Sequence, residues 1–409
     1  MKNVIARILT VIAIVGVSSG NADETHDVYQ KTGAIGLPEI QSFKVEAASL
    51  KQTRDLLVSL PSAYIESGSR LKYPVIFVLD AELMFYPIAG QVYFQGMNSQ
   101  MPEAIVVGIP NLQGKRRDIT PTPLNRNGEP LWFGGKHEQY LQFIQNDVIP
   151  FIEKKFNVAN YRVLVGLSPT GQFVLHSAWA APDLFNAHIA INTADFKAVG
   201  YDNNSALDKI ATAVELNPQQ KRHLYISMPQ SGGGLNPRIV EGYKKFESAL
   251  NSVDSHNMEY KQEFTENNGY AAVLPAVTSA LHFIFPPELW DPSYRDFMSE
   301  EPGQTLQNIK SYYKSMSDKY GFEAIPKGER YYNRNRLKRI GYVMLEQKRT
   351  EEAIEIFEYW CSLYPYSSNA FDSLADALTR KGDSKKASQM RQKAKALAVQ
   401  NEDYRLELF

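Results

Sequence analysis

The stretch Arg162–Gly171, RVLVGLSPTG, constrains this chain more than any other. Arg162–Val165 is a short run that predicts a buried strand, and Gly166-Leu167-Ser168 breaks it. Gln172–Ala181 then continues with helix-forming residues at apolar spacing. A strand, a sharp turn with a serine at its apex and a helix together form the context of a nucleophile elbow. Such a turn lifts a serine hydroxyl above the carboxyl edge of a parallel sheet, where open α/β folds bind ligands. The usual spacing is G-x-S-x-G. Here Thr170 takes the place of the second glycine and Gly171 comes one residue late. An ordinary strand–helix turn with a polar cap fits the same ten residues, so the flanking chain has to decide.

That flanking chain reads as alternating strands and helices. Phe43–Ala47 and Asp55–Leu60 are expected to pair as antiparallel strands. Tyr73–Leu79 (YPVIFVL) and Ala104–Ile109 (AIVVGI) are continuous apolar runs, as expected of strands buried on both faces. Glu138–Phe156 has helical spacing. Ala187–Ile191, His223–Met228 and Tyr260–Phe264 predict three more strands, with Pro237–Ser252 a helix between the last two. The pattern implies an α/β fold with a mostly parallel sheet over residues 41–285.

After Phe285 the composition changes. Pro286-Pro287-Glu288-Leu289-Trp290-Asp291-Pro292 is rich in turn formers, and 286–304 reads as a linker. Residues 305–409 read as helical. Ile340, Gly341 and Ala353 recur 34 residues on as Leu374, Ala375 and Ala387. Small residues at helix crossings with that period are the signature of tetratricopeptide repeats, and such repeats need neighbours to bury their faces. Thr305–Tyr320 or the sheet domain would supply that cover.

The N-terminus carries an address. Lys2 and Arg7 precede the apolar run Ile8–Val17, and small residues follow up to Ala22. This is the layout of a secretory signal peptide over residues 1–22, with 23–40 a polar tail. About ten apolar residues fall short of the roughly 20 that a membrane span needs. A periplasmic or secreted protein without a membrane span in its mature chain is therefore expected. With a single cysteine, Cys361, no internal disulfide can form, and a buried structural thiol is expected. The formal charge of −1 suggests neither a nucleic-acid nor a membrane-surface partner. The seven histidines are scattered with no H-x₃-H or H-E-x-x-H spacing, so no metal or other cofactor is expected.

Residues from about 43 to 285 resemble the putative-esterase branch of the α/β-hydrolases, the group around esterase D and the enterochelin esterases. The matching stretches are LPSAYIESGSRLKYPVIFVLDAE, EAIVVGIPN with RRDITPT, GGKHEQYLQFIQNDVIPFIEKKF and VLVGLSPTGQFVLHSAWAAPDLFNAHIAIN. Several members also carry tetratricopeptide-like C-termini. The resemblance implies an α/β-hydrolase sheet domain followed by a small all-α domain. It also implies acyl transfer on a small-molecule ester, in which a serine attacks, a histidine takes its proton and a carboxylate fixes the histidine. Ser168 matches the nucleophile, while Ala81, Arg117, Asp118 and Pro169 match positions that line the pocket.

Three departures from the family pattern stand out. Asn268-Gly269-Tyr270 occupies the place of the histidine loop, and His282 falls too late for it. The place of the acid holds Pro229-Gln230-Ser231 and three glycines. Pro169, directly after the nucleophile, has no N–H, so one oxyanion donor is absent from its ordinary place. Losing one such donor costs about 2.7–4 kcal/mol of transition-state stabilisation. His137 is the substitute base to consider, with Glu266 as a carboxylate alternative. Two readings stay open on the sequence alone. One is an exported esterase with impaired or rearranged machinery. The other is a non-catalytic descendant that binds a ligand in the pocket or a protein partner through its repeats.

Overall fold

The computed structural model describes residues 40–111, 119, 129, 132, 134–193, 204–216, 221–229, 237–252, 257–265, 269–328 and 336–401. The expected signal peptide and all but the last residue of the polar tail lie outside the described residues.

β1 (Ile40–Ala47) and β2 (Gln52–Ser59) pair antiparallel, and α1 (Tyr64–Ser67) is a single turn. β3 (Tyr73–Leu79) leads into α2 (Ala81–Met97), and β4 (Ile105–Ile109) follows. α3 (His137–Phe143), a π-helical turn (Ile144–Val148) and α4 (Ile149–Lys155) run on as one segment. Next come β5 (Val158–Leu167), α5 (Pro169–Ala180), β6 (Ala187–Ile191) and α6 (Asn204–Leu216). β7 (Arg222–Pro229), α7 (Pro237–Ser252), β8 (Met258–Thr265) and α8 (Val273–Ile284) complete the α/β part. The strands form one sheet in the order β1-β2-β4-β3-β5-β6-β7-β8. It is parallel from β4 to β8 and antiparallel at the β1 and β2 end.

Side chains alternate across the strands, so each inner strand feeds two cores. Val75, Phe77 and Leu79 of β3 join α3 to α6 on one face, whereas Ile76 and Val78 join α2 and α8 on the other. The continuous apolar runs of β3 and β4 follow from this double burial.

The second core does not end at α8. It continues through α9 (Pro287–Trp290), α10 (Gln304–Tyr320), α11 (Leu337–Glu346), α12 (Thr350–Leu363), α13 (Ser368–Lys381) and α14 (Ser384–Gln400). Residues 286–304 are therefore not a free linker, because Trp290 and Phe297 are buried within this core. Turn-forming prolines gave the segment a linker-like composition, but its aromatics anchor it. Tyr161 of β5 lies 5.6 Å from the Phe285 ring and 5.3 Å from that of Phe322. Arg70 reaches Glu323 with two hydrogen bonds of 2.7 and 2.6 Å, and Lys327 lies 3.0 Å from the buried Glu103. Cys361 is buried among the α12 neighbours, and burial pushes its thiol up to about 12. Such a thiol stays protonated and unreactive at neutral pH.

Among the described residues, no helix is long and apolar enough to cross a membrane.

Candidate active site

Ser168 sits where β5 ends and α5 begins, with φ 58° and ψ −110°. A side-chain-bearing residue in that region is strained, and the surroundings must hold it there. They do so from both sides. The Ser168 N–H donates to Ile191 O at 2.8 Å, and Ser168 O accepts from Gln172 N at 3.2 Å. Gly166 makes the turn possible, since a Cβ there would come within 2.5 Å of Thr170 O. Gly171 lets the helix start approach β6, since its Cβ would meet Thr193 Cγ2 at 2.7 Å. Ser168 itself is half-buried, and its side chain makes no hydrogen bond among the described residues.

Thr170, the residue that spoils the usual spacing, is fully buried and well used. Leu167 N–H donates to its hydroxyl at 2.8 Å, and the hydroxyl lies 2.8 Å from Asp80 Oδ2. Asp80 is fully buried at the N-cap of α2, itself at φ 52°. Its other oxygen accepts from Asn111 Nδ2 at 2.6 Å, and Asn111 Oδ1 accepts from the Tyr140 hydroxyl at 3.0 Å. The Asn111 N–H also points at the Glu82 carboxylate, 3.1 Å from both oxygens. Burial raises the Tyr140 hydroxyl above its ordinary range, so it stays a hydrogen-bond donor at neutral pH. The sequence reading missed this network. Its signal was Asp80 directly after a buried strand, where a buried carboxylate requires donors on every side.

Ala81 follows Asp80 as the first residue of α2, buried against β4. β3 and β5 run in parallel with Val78 opposite Val165, so the turns carrying Ala81 and Ser168 lie side by side at the carboxyl edge. Pro169 is the first residue of α5 and buried, as its fixed φ and missing N–H suit. Arg117, Asp118 and Glu266 lie outside the described residues, as do Asn268 and the three glycines after Ser231.

His137 is not brought to the serine. Its ring lies edge-on to His176, with centroids 4.5 Å apart, while Tyr140 one turn later meets Phe173 at 5.3 Å. Contacts therefore recede along α5 from Phe173 to His176, which stands eight residues, or about 12 Å of helix, beyond Ser168. The sequence placed His137 near the pocket because the loop before its helix does so in the family, but its ring settles two turns down. His188 and His223 are buried on β6 and β7, and His282 lies on α8. Burial lowers His176 and His188 to about 3, helped at His176 by His137 and Lys209 and at His188 by Arg222. Among the described residues, then, no histidine contacts the Ser168 side chain.

Known proteins resemble this chain in sequence and in fold. Residues 47–236 match the family model described as "Putative esterase". Ferri-bacillibactin esterase BesA of Bacillus subtilis is 26% identical over 287 residues, covering 63% of this chain and 93% of its own length. Among solved structures, the IroE-like serine hydrolase from Shewanella oneidensis has a TM-score of 0.56 at 19% identity, covering 88% of this chain and 99% of that one. An uncharacterised protein from Capnocytophaga ochracea also reaches 0.56, at 18% identity, over 91% of this chain and all of that one. Both fold likenesses extend past α8 into the C-terminal helices. On these matches, residues 47–236 resemble the putative esterases, a resemblance that supports a carboxylic ester hydrolase by family.

Proposed function

We propose that this chain is an exported esterase in which Ser168 attacks the ester carbonyl, and that its machinery is weaker than the family's. The observation that carries the reading is the strained Ser168 backbone, held at φ 58° by hydrogen bonds to β6 and α5. Asp80 at the β3–α2 turn has an ordinary left-handed ψ of 45°, whereas the Ser168 pair of φ 58° and ψ −110° is one that side-chain-bearing residues rarely adopt, and such strain clusters at active sites. Ala81, at the start of α2, is positioned to offer its N–H as an oxyanion donor, and Pro169 offers none. Arg117 and Asp118 are assigned to the pocket entrance on the family pattern alone. The weak-enzyme reading rests on Pro169 and on the absence, among the described residues, of a histidine beside Ser168. The likeness to a ferri-bacillibactin esterase makes the ester bonds of iron-binding siderophores the substrate class to try first. Export rests on the N-terminal pattern of residues 1–22. The helices α11 to α14 are read as tetratricopeptide-like, and the cleft lined by Ile354, Leu374, Leu378 and Met390 is a place for a protein partner.

The test is hydrolysis of short-chain nitrophenyl esters and of a ferric trilactone siderophore, run beside Ser168→Ala. A rate above background that disappears in the variant supports the serine mechanism. Equal rates in both proteins on both substrates reject it.

A further inference from the structure

Sequence spacing offers no metal motif, yet the fold assembles one away from Ser168. His137 and Glu138 open α3, and His176 faces them from the second turn of α5. His176 Nε2 lies 3.1 Å from Glu138 Oε1, and His137 Nε2 lies 3.6 Å from the same oxygen. One ligand atom from each residue falls within 4.8 Å of the other two. Zinc bonds nitrogen and oxygen at about 2.0–2.2 Å in tetrahedral sites, which sets ligand atoms roughly 3.3 Å apart. The two distances straddle that value.

A second observation points the same way. His176 is 3% exposed, and its Nε2 has no aligned hydrogen-bond partner although it faces the Glu138 carboxylate. A buried polar atom left in that condition calls for an explanation, and an ion is one of the recognised kinds. The side chains on the far wall are compatible. Trp179 lies edge-on 4.9 Å from His176, and the charge of Lys209 is drawn over the Trp179 ring at 4.2 Å. His137 and Glu138 are partly exposed, which gives an ion a way in and leaves a coordination position to water.

We infer that His137, Glu138 and His176 form a binding site for a divalent transition-metal ion of the zinc class. Two imidazoles and one carboxylate suit a borderline ion better than magnesium or calcium, which take oxygen ligands. The site lies about two helical turns from Ser168, too far to act on a substrate held there. Its effect is to pin the start of α3 to α5, the helix that follows the nucleophile.

The experiment is calorimetric titration of the tag-free full chain with Zn²⁺ alone, with thermal unfolding measured at the same metal ratios. The expected result is one ion per chain and a melting temperature that rises with Zn²⁺. His176→Ala empties a buried position, so the deciding variants are Glu138→Gln and His137→Gln at the exposed side. Each should keep the metal-free melting temperature and weaken binding about tenfold or more. No binding by the native chain, or unchanged affinity in both variants, would overturn the inference. Because neither readout involves ester hydrolysis, the result stands apart from the esterase assignment.

Discussion

The Ser168 turn and the C-terminal helix stack solve the problem of close packing in opposite ways. At the turn, backbone meets backbone, and polar groups settle the fit. Gly166 and Gly171 clear the space, and the Thr170 hydroxyl supplies what Asp80 and Leu167 need. In the stack, side chain meets side chain and apolar shape settles it. A Cβ on Gly341 would meet the Phe357 ring at 2.3 Å, and Ala353 and Ala375 are fully buried at neighbouring crossings. The difference teaches that a residue change reads differently in each region. A threonine in place of glycine looks like damage at the turn but is an integrated part of a buried network. In the stack, a small residue means only that something large lies opposite.

Substitutions at four positions would sharpen this contrast. The largest effect is expected from Pro169→Ala, which returns an N–H to the residue after the nucleophile. If that donor alone is missing, kcat should rise by up to about 10²–10³-fold, which corresponds to the about 2.7–4 kcal/mol that one oxyanion donor contributes. Steady-state hydrolysis checks it, and an unchanged kcat would shift attention from the oxyanion donors to the base. Thr170→Val comes next. It keeps the shape but takes one hydrogen bond each from Asp80 and Leu167, for an expected loss of about 1–3 kcal/mol in denaturant unfolding. Thr170→Ser should recover most of that loss, and equal stability of all three proteins would remove the hydroxyl from the account.

Gly341→Ala tests the apolar region. Helix propensity alone favours alanine by about 1 kcal/mol. Overpacking against Phe357 costs about 1–3 kcal/mol, so net destabilisation of no more than about 2 kcal/mol is expected. A stabilised variant would mean that the ring moves aside freely. The smallest effect at neutral pH belongs to His188, packed against Phe185 beside Arg222 and lowered from 6.5 to about 3. Above pH 6.5 the ring is neutral in both folded and unfolded chains. Between 6.5 and 3 the unfolded chain takes a proton that the folded one refuses, so stability falls as pH drops. Its limiting slope is about 1.4 kcal/mol per pH unit. His188→Leu should flatten the fall measured between pH 7 and pH 5, and an unchanged slope would assign the acid sensitivity elsewhere.

The strands were legible because double burial writes itself as unbroken apolar runs. Tyr73–Leu79 and Ala187–Ile191 match β3 and β6 to the residue. α2 and α6 escaped notice. α2 begins at an aspartate in a left-handed turn and contains Pro87, and its apolar residues show no one-sided pattern. At the site, Ser168 was legible as a local motif, whereas Asp80, Asn111 and Tyr140 meet only through the sheet and leave no common spacing. The His137–Glu138–His176 group was hidden for the same reason, since its members come from two helices separated by a strand. Residues 286–304 misled because prolines announce turns and say nothing about the aromatics between them.

The core that runs unbroken from the β3 and β5 side chains into α10 to α14 bears on how the molecule comes apart. A chain cut at Phe285 would present to water the floor formed by Tyr161, Phe285 and their neighbours. The α/β half is thus no portable cassette, and the helices are no optional accessory. Heat should melt both halves in a single cooperative step, and any mutation that loosens the Trp290–Phe322 stack should reach Ser168 through the strand they share.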